Sequence, residues 1–222
     1  MRELSLSVPQ GQMTALLGAN GAGKTTLLRI LASTITPDAG SVRILGEDAL
    51  AHPGRVRHRV GVVLGDERSF FWRLTAAQNL RFFAALHGLH GRTAQDRIDT
   101  LAAQFRFGDE MNQAFRNLST GWRHKLALVR ALLGDPAVLL MDEPTRGLDP
   151  GAAERAHRYL AEDLVGKQGK TVLIATHRLA EARQHCQGLA LLSDGHIVAE
   201  GPVEKVAEQV AAEFELSESE MK

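Results

Sequence analysis

The sequence has little cysteine and no excess charge of either sign. Only one cysteine, Cys186, occurs in 222 residues. No internal disulfide can form, and this favours a reducing compartment over secretion. Lys and Arg together number 26, and Asp and Glu together also number 26. This balance argues against a nucleic-acid partner, which usually needs a basic surplus, although a zero sum leaves room for a local patch.

Long hydrophobic runs are also missing. No apolar stretch approaches the ~20 residues that span a bilayer, and the first residues do not have the pattern of a signal peptide. Any role at a membrane is therefore expected to depend on a partner chain. With 44% hydrophobic residues, the composition is that of a folded domain that buries a core without disulfides.

The chain does contain an alternation of short apolar runs with helical stretches. Gly, Asp or Pro residues bound the runs, which is typical of strands buried on both faces of a parallel sheet. The predicted fold class is therefore α/β. The runs are MTALLG, SVRIL, VGVVL, AVLLMD, TVLIAT, LALLS and HIVAE.

Strand-like runs are missing from the middle of the chain, where helical stretches follow one another. We therefore predict an α/β core formed by residues 1–74 and 135–202, with an all-helical insert at 75–134. Residues 203–222 are expected to form a C-terminal helix and then a frayed acidic tail. The apolar positions at helical spacing in this last part are Val203, Val206, Val210 and Phe214.

A glycine-rich segment after the first apolar run fits the pattern G-x-x-x-x-G-K-[ST] without a mismatch. Its glycines let backbone N–H groups approach phosphate oxygens, and the helix that follows adds positive charge at its N-terminus. In this pattern Lys24 reaches the β- and γ-phosphates, and the Thr25 hydroxyl ligates Mg²⁺. The motif alone predicts a nucleoside triphosphate, not a particular reaction. The predicted nucleotide-binding residues are Gly18, Ala19, Asn20, Gly21, Ala22, Gly23, Lys24, Thr25 and Thr26.

Two acids, Asp142 and Glu143, end the apolar run AVLLMD and follow it directly. Ligands bind at the carboxyl ends of strands in open α/β sheets, so both carboxylates are expected to face the phosphate loop. Asp142 is predicted to belong to the Mg²⁺ shell. Glu143 is predicted to polarise the water that attacks the γ-phosphate. Two acids by themselves also fit a surface turn, and the phosphate loop makes that alternative the weaker one.

Further segments make the sequence resemble the ATPases of ABC transporters. Leu118-Ser119-Thr120-Gly121-Trp122 is similar to their signature segment, and Ala175-Thr176-His177 is similar to the segment with their switch histidine. The stretch from Glu143 to Pro150 resembles their second acid and D-loop. Together with the phosphate loop, these motifs stand in the family's order along most of the chain.

The resemblance implies a P-loop NTPase core of the RecA-like type, with the signature carried by the helical insert. It also implies an ATPase in which Lys24, Glu143 and His177 are the catalytic residues. His177 is then expected to contact the γ-phosphate and to hold the geometry between Glu143 and the attacking water.

The same resemblance implies a head-to-tail dimer, in which the signature of one subunit closes over ATP bound by the other. Ser119 and the backbone of Gly121, at a helix start, would supply an anion site in trans. Asp149 would make contacts across the interface. The segment alone is equally consistent with Ser119 as an ordinary N-cap.

The resemblance further implies an ATP-binding subunit of a transporter, with ATP and Mg²⁺ as its ligands. It would work at the cytoplasmic face of the membrane through a separate permease, with an identical or a different second ATP-binding subunit, and without nucleic acid. Export is expected, because the stretch from Ser69 to Thr75 is similar to one in drug and polysaccharide exporters. Its aromatics fit either a groove for a permease helix or packing in the core.

Two other functions remain alternatives. One is an ABC-type ATPase without a permease, in DNA repair or translation. Such ATPases usually carry long insertions or a second cassette, for which 222 residues leave no room. The other is a nucleotide-gated binding module with weak hydrolysis.

The sequence departs from the family pattern at several positions. Gly65 stands where the family usually has a Gln that ligates Mg²⁺, and Asp66 or Glu67 is the hypothetical substitute. Thr120 and Trp122 replace a more frequent Gly and Gln of the signature. Thr120 is compatible only with a negative φ, and Trp122 is expected either to stack on a partner or to cap the core.

The start of the chain departs as well. Its first 17 residues contain no Phe, Tyr or Trp, whereas the family carries an aromatic there that stacks on adenine, and the family's first strand is not recognised. We therefore expect nucleotide binding without that stacking contact, which is worth about 1–3 kcal/mol.

Overall fold

The computed structural model of the chain describes residues 3–64 and 69–210. The strands are β1 (Met13–Leu17), β2 (Arg43–Ile44), β3 (Glu47–Asp48), β4 (Val60–Val63), β5 (Val138–Asp142), β6 (Thr171–Thr176), β7 (Gly188–Ser193) and β8 (His196–Pro202). The α-helices are α1 (Lys24–Leu31), α2 (Pro53–Arg57), α3 (Ala76–Leu86), α4 (Gly91–Gln104), α5 (Thr120–Leu132), α6 (Pro150–Arg158), α7 (Leu179–His185) and α8 (203–210). A π-helix (Tyr159–Lys167) follows α6, and short 3₁₀ turns occur at Asp109–Asn112 and Phe115–Asn117.

Six strands form the main sheet, in the order β4-β5-β6-β1-β7-β8. All neighbouring strands in it are parallel except β7 and β8, which are antiparallel. The predicted α/β class with a mostly parallel sheet is confirmed. β8 lies at an edge and alternates between exposed and half-buried residues, as expected for a strand with one face in solvent.

The run SVRIL does not belong to this sheet, so the prediction of a strand buried on both faces is wrong there. Only Arg43 and Ile44 are extended, and they pair with β3 in a separate two-stranded sheet. The turn between them, Leu45 and Gly46, has φ values of 52° and 80°. Two consecutive positive φ values form the tight hairpin turn that sends the chain back on itself.

The strands of the main sheet separate two apolar layers because successive side chains point to opposite faces. In β1, Met13 and Leu17 belong to the larger layer, which includes residues of α3 to α6. Leu16 belongs to the smaller layer, where Leu27 and Leu28 of α1 cover the sheet. This two-sided burial explains why the central strands read as continuous apolar runs.

Helices α3, α4 and α5 all lie between β4 and β5 in the chain. α3 begins with a capping box, in which Gln78 N donates to Thr75 Oγ1 (3.1 Å) and Thr75 N donates to Gln78 Oε1 (2.9 Å). Such a cap satisfies two N–H groups at the helix start. The division of the chain into a core and an insert stays a prediction.

The apolar side of α8 covers the larger layer, with Val203, Val206 and Val210 all buried. The predicted contribution of Phe214 and the predicted acidic tail lie outside the described residues. Within residues 3–64 and 69–210, no helix combines the length and the apolar character that crossing a membrane requires.

Candidate functional site

The loop between β1 and α1 is shaped by close backbone packing. A Cβ on Gly18 would stand 2.4 Å from the carbonyl oxygen of Leu192, so only glycine fits. Gly21 and Gly23 have φ values of 86° and 108°, which favour glycine. Gly23 is the N-cap of α1, and no acid occupies the first turn of that helix. The loop therefore combines turned backbone with the positive end of a helix.

Lys24 is buried, with 7% of its surface exposed. Its Nζ donates to the carbonyl oxygens of Gly18 (2.6 Å) and Ala19 (3.0 Å) of the same loop. The ammonium group is thus held inside the loop at the start of α1. Thr25 and Thr26 follow it in the first turn.

The carboxyl end of β5 reaches this loop. The Thr25 hydroxyl donates to Asp142 Oδ2 at 2.5 Å, because α1 packs against β5. The two residues predicted to hold Mg²⁺ therefore lie side by side. Both offer oxygen atoms, the ligands that this ion prefers.

Glu143 and His177 also meet at this edge of the sheet. They follow the neighbouring strands β5 and β6, and Glu143 N donates to the Ala175 carbonyl oxygen at 2.9 Å. Glu143 Oε1 lies 2.5 Å from His177 Nδ1. The φ of Glu143 is 48°, a left-handed conformation that is uncommon outside glycine and is often found at functional sites. A carboxylate oriented by an imidazole in this way can accept a proton from water.

Ser119, Gly121 and Asp149 form a second group, at the starts of α5 and α6. Ser119 is exposed and caps α5, its Oγ accepting from Trp122 N at 3.4 Å. Asp149 caps α6 by accepting from Ala152 N at 2.8 Å. This backbone hydrogen bond, with help from the Arg155 cation, holds the pKa of Asp149 below its usual value. Ser119 is therefore an N-cap, which is compatible with either reading of its segment.

The segment between Glu143 and Asp149 connects the two groups. It turns twice, with Arg146 N donating to the Glu143 carbonyl (3.0 Å) and Leu148 N donating to the Thr145 carbonyl (3.1 Å). Its middle lies against the start of α5, where a Cβ on Gly121 would be 3.4 Å from the Gly147 carbonyl oxygen. The same short stretch thus contacts both predicted half-sites of one chain.

The aromatic segment before α3 is divided between the core and the surface, which confirms core packing for Phe70 and leaves a permease groove a prediction. Phe70 is buried at 4% exposure, whereas Phe71 and Trp72 are 45% and 51% exposed. Phe70 stacks on Phe115 with ring centroids 4.6 Å apart. Phe71 instead meets Phe82 of α3, itself 42% exposed, at the surface.

Asn79 holds this aromatic segment on α3 and was missed by sequence reasoning. Its side chain is fully buried. It accepts from Phe71 N (2.8 Å) and donates to the carbonyl oxygens of Phe71, Leu74 and Thr75. The sequence feature that could have identified it is a single amide side chain on the otherwise apolar side of the helical stretch NLRFFAAL, because a buried amide needs hydrogen-bond partners.

The departures from the family pattern have different outcomes. Gly65, Asp66 and Glu67 lie outside the described residues, so the substitute for the missing Gln stays a hypothesis. Thr120 has a helical backbone as the first residue of α5, as its side chain requires. Trp122 packs within its own chain, on Phe107 with ring centroids 4.8 Å apart.

The sequence matches a family of known proteins. Residues 1–146 match the ABC transporter family. The chain is 34% identical over 213 residues to the ABC transporter ATP-binding protein NatA of Bacillus subtilis (strain 168), covering 96% of this chain and 86% of that protein. It is 39% identical to the Nod factor export ATP-binding protein I of Ralstonia nicotianae, over 95% of this chain and 65% of that protein. It is also 39% identical to the daunorubicin resistance ATP-binding protein DrrA3 of Streptomyces coeruleorubidus, over 91% of this chain and 63% of that protein.

A solved structure has the same architecture. The dimeric post-hydrolysis state of the ATP-binding cassette MJ0796, bound to ADP and Pi, superposes with a TM-score of 0.83 and 25% identity over 90% of this chain and 89% of that one. The family match covers well over half of the chain, and the relatives are ATP-binding proteins. The chain belongs to the ABC transporter family, as an ATP-binding and ATP-hydrolysing subunit with the P-loop NTPase fold.

Proposed function

We propose that this subunit hydrolyses ATP to drive export through a separate membrane permease. The observation that carries the proposal is a pair of side-chain contacts at the carboxyl edge of the sheet, beside the loop that holds the Lys24 ammonium group. Relatives named for Nod factor export and daunorubicin resistance support the direction of transport. The two contacts join Thr25 to Asp142 and Glu143 to His177.

Lys24, Glu143 and His177 divide the catalytic work in this proposal. Lys24 neutralises charge on the β- and γ-phosphates, which also accept from the loop N–H groups at the start of α1. The Glu143 carboxylate accepts a proton from the attacking water. His177 Nδ1, 2.5 Å from that carboxylate, fixes its orientation. Asp149, whose carboxylate caps α6, takes no part in this step and is assigned to the interface between copies.

The oxygen atoms of Thr25 and Asp142 fit Mg²⁺. Mg²⁺ is usually bound through one or two carboxylates together with substrate phosphates rather than by a full protein cage. The described residues contain no group of three or more His, Cys, Asp or Glu side chains that could hold a metal ion. When bound, the ion supplies charge neutralisation at the transferred phosphoryl group. The residues proposed to hold it are Thr25 and Asp142.

We propose that Ser119 and Gly121 at the start of α5 in one copy contact the nucleotide bound by a second copy. Ser119 is exposed at the N-terminus of a 13-residue helix, α5. Such a helix end attracts an anion, and the turns at Gly147 hold it beside Asp149. The dimeric MJ0796 cassette supports an assembly of this kind. An identical or a related chain fits equally.

The exposed aromatics Phe71, Trp72 and Phe82 are proposed to receive a cytoplasmic helix of the permease. Their rings continue the buried packing of Phe70 and Phe115 out to the surface. Asn79 makes the platform rigid by fixing the backbone beneath it. Apolar rings on a fixed backbone suit the docking of an amphipathic helix.

The Glu143 carboxylate provides the decisive test against a binding module that barely turns over ATP. Changing Glu143→Gln should lower ATP turnover at least about 100-fold, because an amide accepts no proton. ATP affinity should change little, since the loop contacts remain. The measurements are phosphate release and equilibrium binding of ATP. Glu208→Gln, at an exposed position of α8, is the matched control and should hydrolyse ATP like the wild type.

Equal turnover in the Glu143→Gln and Glu208→Gln proteins would refute the assigned role. Transport itself is tested by reconstituting the subunit with its permease in vesicles. Substrate movement that continues with Glu143→Gln in place of the wild type would contradict energising by this site.

A further inference from the structure

A cavity of about 200 Å³ lies between the end of α4 and the helix α6, away from the nucleotide loop. Four basic side chains contribute to its wall. They are Arg106, which follows α4, Lys125 of α5, and Arg155 and Arg158 of α6. No residue of the loop from Gly18 to Thr26 takes part in it.

The acids around this cavity leave most of the positive charge uncompensated. Arg158 is paired with Glu154 at 3.5 Å, and Asp163 on the cavity wall is paired with Lys167 at 2.7 Å. In the described part of the chain, no ion pair joins Arg106, Lys125 or Arg155 to a carboxylate. Three cations therefore face a common space, and the nearby carboxylates of Asp149 and Glu110 act on Lys125 without forming an ion pair with it.

Lys125 is held in this environment by its neighbours. Its Nζ lies 3.8 Å above the ring of Trp122. Burial and then the Arg155 cation lower the pKa of Lys125, and Arg106 adds to this effect against Asp149 and Glu110. Repulsion between like charges raises the free energy of the protein when the cavity holds no anion. A bound anion reduces this repulsion.

The other wall of the cavity is aromatic. Phe105 and Tyr159 meet edge to face with ring centroids 5.4 Å apart, and both line the space. Burial raises the pKa of Tyr159, so its hydroxyl stays protonated and can donate to an oxygen. Cations, a hydroxyl donor and an apolar wall together suit a phosphate group attached to a small organic body.

We propose that this cavity is a second anion site, which binds a phosphate group that is either free or carried by a small ester. The guanidinium groups of Arg106 and Arg155 offer planar pairs of donors to phosphate oxygens, and Lys125 adds a point charge. Leu148 also lines the cavity and directly precedes Asp149. An anion bound here thus contacts the segment that links the two half-sites of the chain.

The test counts phosphate sites on the full-length chain by equilibrium dialysis with labelled inorganic phosphate. Lys24→Ala is used as the background, because it removes the cation of the nucleotide loop and weakens phosphate binding there. We expect about one phosphate per chain to remain bound in that background. Adding Arg106→Gln and Lys125→Gln should weaken this binding at least about 10-fold, since two charged contacts are lost.

The matched control removes the same charge elsewhere, with Arg92→Gln and Lys205→Gln at exposed positions in the Lys24→Ala background. It should bind phosphate like the background protein. Arg155→Gln, at an exposed position, tests the same site with a single change that the fold tolerates. Circular dichroism and thermal unfolding establish that each variant is folded.

The proposal is overturned if the Lys24→Ala protein binds no phosphate. It is equally overturned if the Arg106→Gln, Lys125→Gln protein and the folded Arg155→Gln protein bind as tightly as the charge-matched control. Competition with phenyl phosphate identifies the source of the group. Displacement at lower concentration than unlabelled phosphate indicates an ester that uses the aromatic wall, and weaker displacement indicates free phosphate. None of these measurements depends on ATP hydrolysis, so they stand apart from the test at Glu143.

Discussion

Gly18 shows how a single residue type is dictated by its surroundings. Its Cα faces the carbonyl oxygen of Leu192, and a Cβ would come within 2.4 Å of that atom. Both Gly18 Cα and the Leu192 carbonyl oxygen are backbone atoms, which cannot move aside as a flexible side chain would. The start of the phosphate loop is therefore fixed against β7 as well as against β1.

Changing Gly18→Ala should displace the loop and weaken ATP binding at least about 10-fold, with a loss of stability of about 1–3 kcal/mol from overpacking. Gly54→Ala is the control, because a Cβ there would have nothing within 4 Å. Inside α2, alanine should leave stability equal or raise it by up to about 1 kcal/mol. ATP titration and urea unfolding of both proteins provide the measurement. A Gly18→Ala protein that binds ATP like Gly54→Ala would show that the loop yields easily.

Which site residues were predictable depends on whether their chemistry is local. Lys24 and Thr25 follow from one contiguous motif, and Asp142 and Glu143 from their position after an apolar run. Asn79 was not predicted, because its partners are backbone atoms of a loop whose path is set by tertiary packing. The left-handed φ of Glu143 was also beyond pattern reasoning, since no residue type marks it.

At the level of elements, α6 and α7 are joined by a stacked pair of imidazoles. His157 of α6 and His185 of α7 have ring centroids 4.6 Å apart, and His157 is 4% exposed. His185 Nε2 lies 3.3 Å from Glu154 Oε2. Because α6 follows Asp149 and α7 follows His177, this contact fixes two helices that both begin next to functional segments.

The titration of His157 gives this contact a pH dependence. Burial, followed by the neighbouring His185, lowers the pKa of His157 from 6.5, and Arg178 adds to this against Glu181 and Glu154. The folded chain therefore binds fewer protons here than the unfolded chain. Stability from this group is fully present above the unfolded pKa and is lost as the pH falls from about 6.5 toward the lower folded pKa.

The urea concentration at the midpoint of unfolding should therefore decrease as the pH is lowered from about 7.5 to about 5.5. His157→Phe retains a ring without the titration, so the fall should become smaller. His52→Phe, at an exposed position, should show the wild-type fall. An unchanged pH dependence in the His157→Phe protein would exclude His157 as its source.

Strands and helices could be predicted where burial against the sheet determines the order of apolar and polar residues. The central runs and the helices between β4 and β5 follow from periodicity. The prediction failed at SVRIL because three apolar residues in a run of five do not show that the chain turns tightly at Leu45 and Gly46. The π-helix (Tyr159–Lys167) has no signal in the sequence, because only its hydrogen-bond register distinguishes it from α-helix.

At the scale of the whole molecule, ATP should hold two copies together when hydrolysis is blocked. The Glu143→Gln chain with ATP and Mg²⁺ should sediment as a dimer. Adding Ser119→Glu should return it to monomers, because a second negative charge meets the γ-phosphate at the start of α5. ATP binding to the loop should persist in these monomers.

Ser41→Glu, at an exposed position far along the chain, is the matched control in the Glu143→Gln background and should still dimerise with ATP. Sedimentation velocity with and without ATP distinguishes the outcomes. Dimers that form equally well with Ser119→Glu and Ser41→Glu would remove the signature segment from the interface.

The strand order has a consequence for how the molecule comes apart. The strands that end at the site, β1, β5 and β6, are all interior strands, each bonded to a neighbour on both sides. Amide hydrogens in such strands exchange with solvent only through the largest opening events. Their exchange rates should therefore match those of global unfolding, and nucleotide binding should disappear in the same cooperative transition as the fold itself.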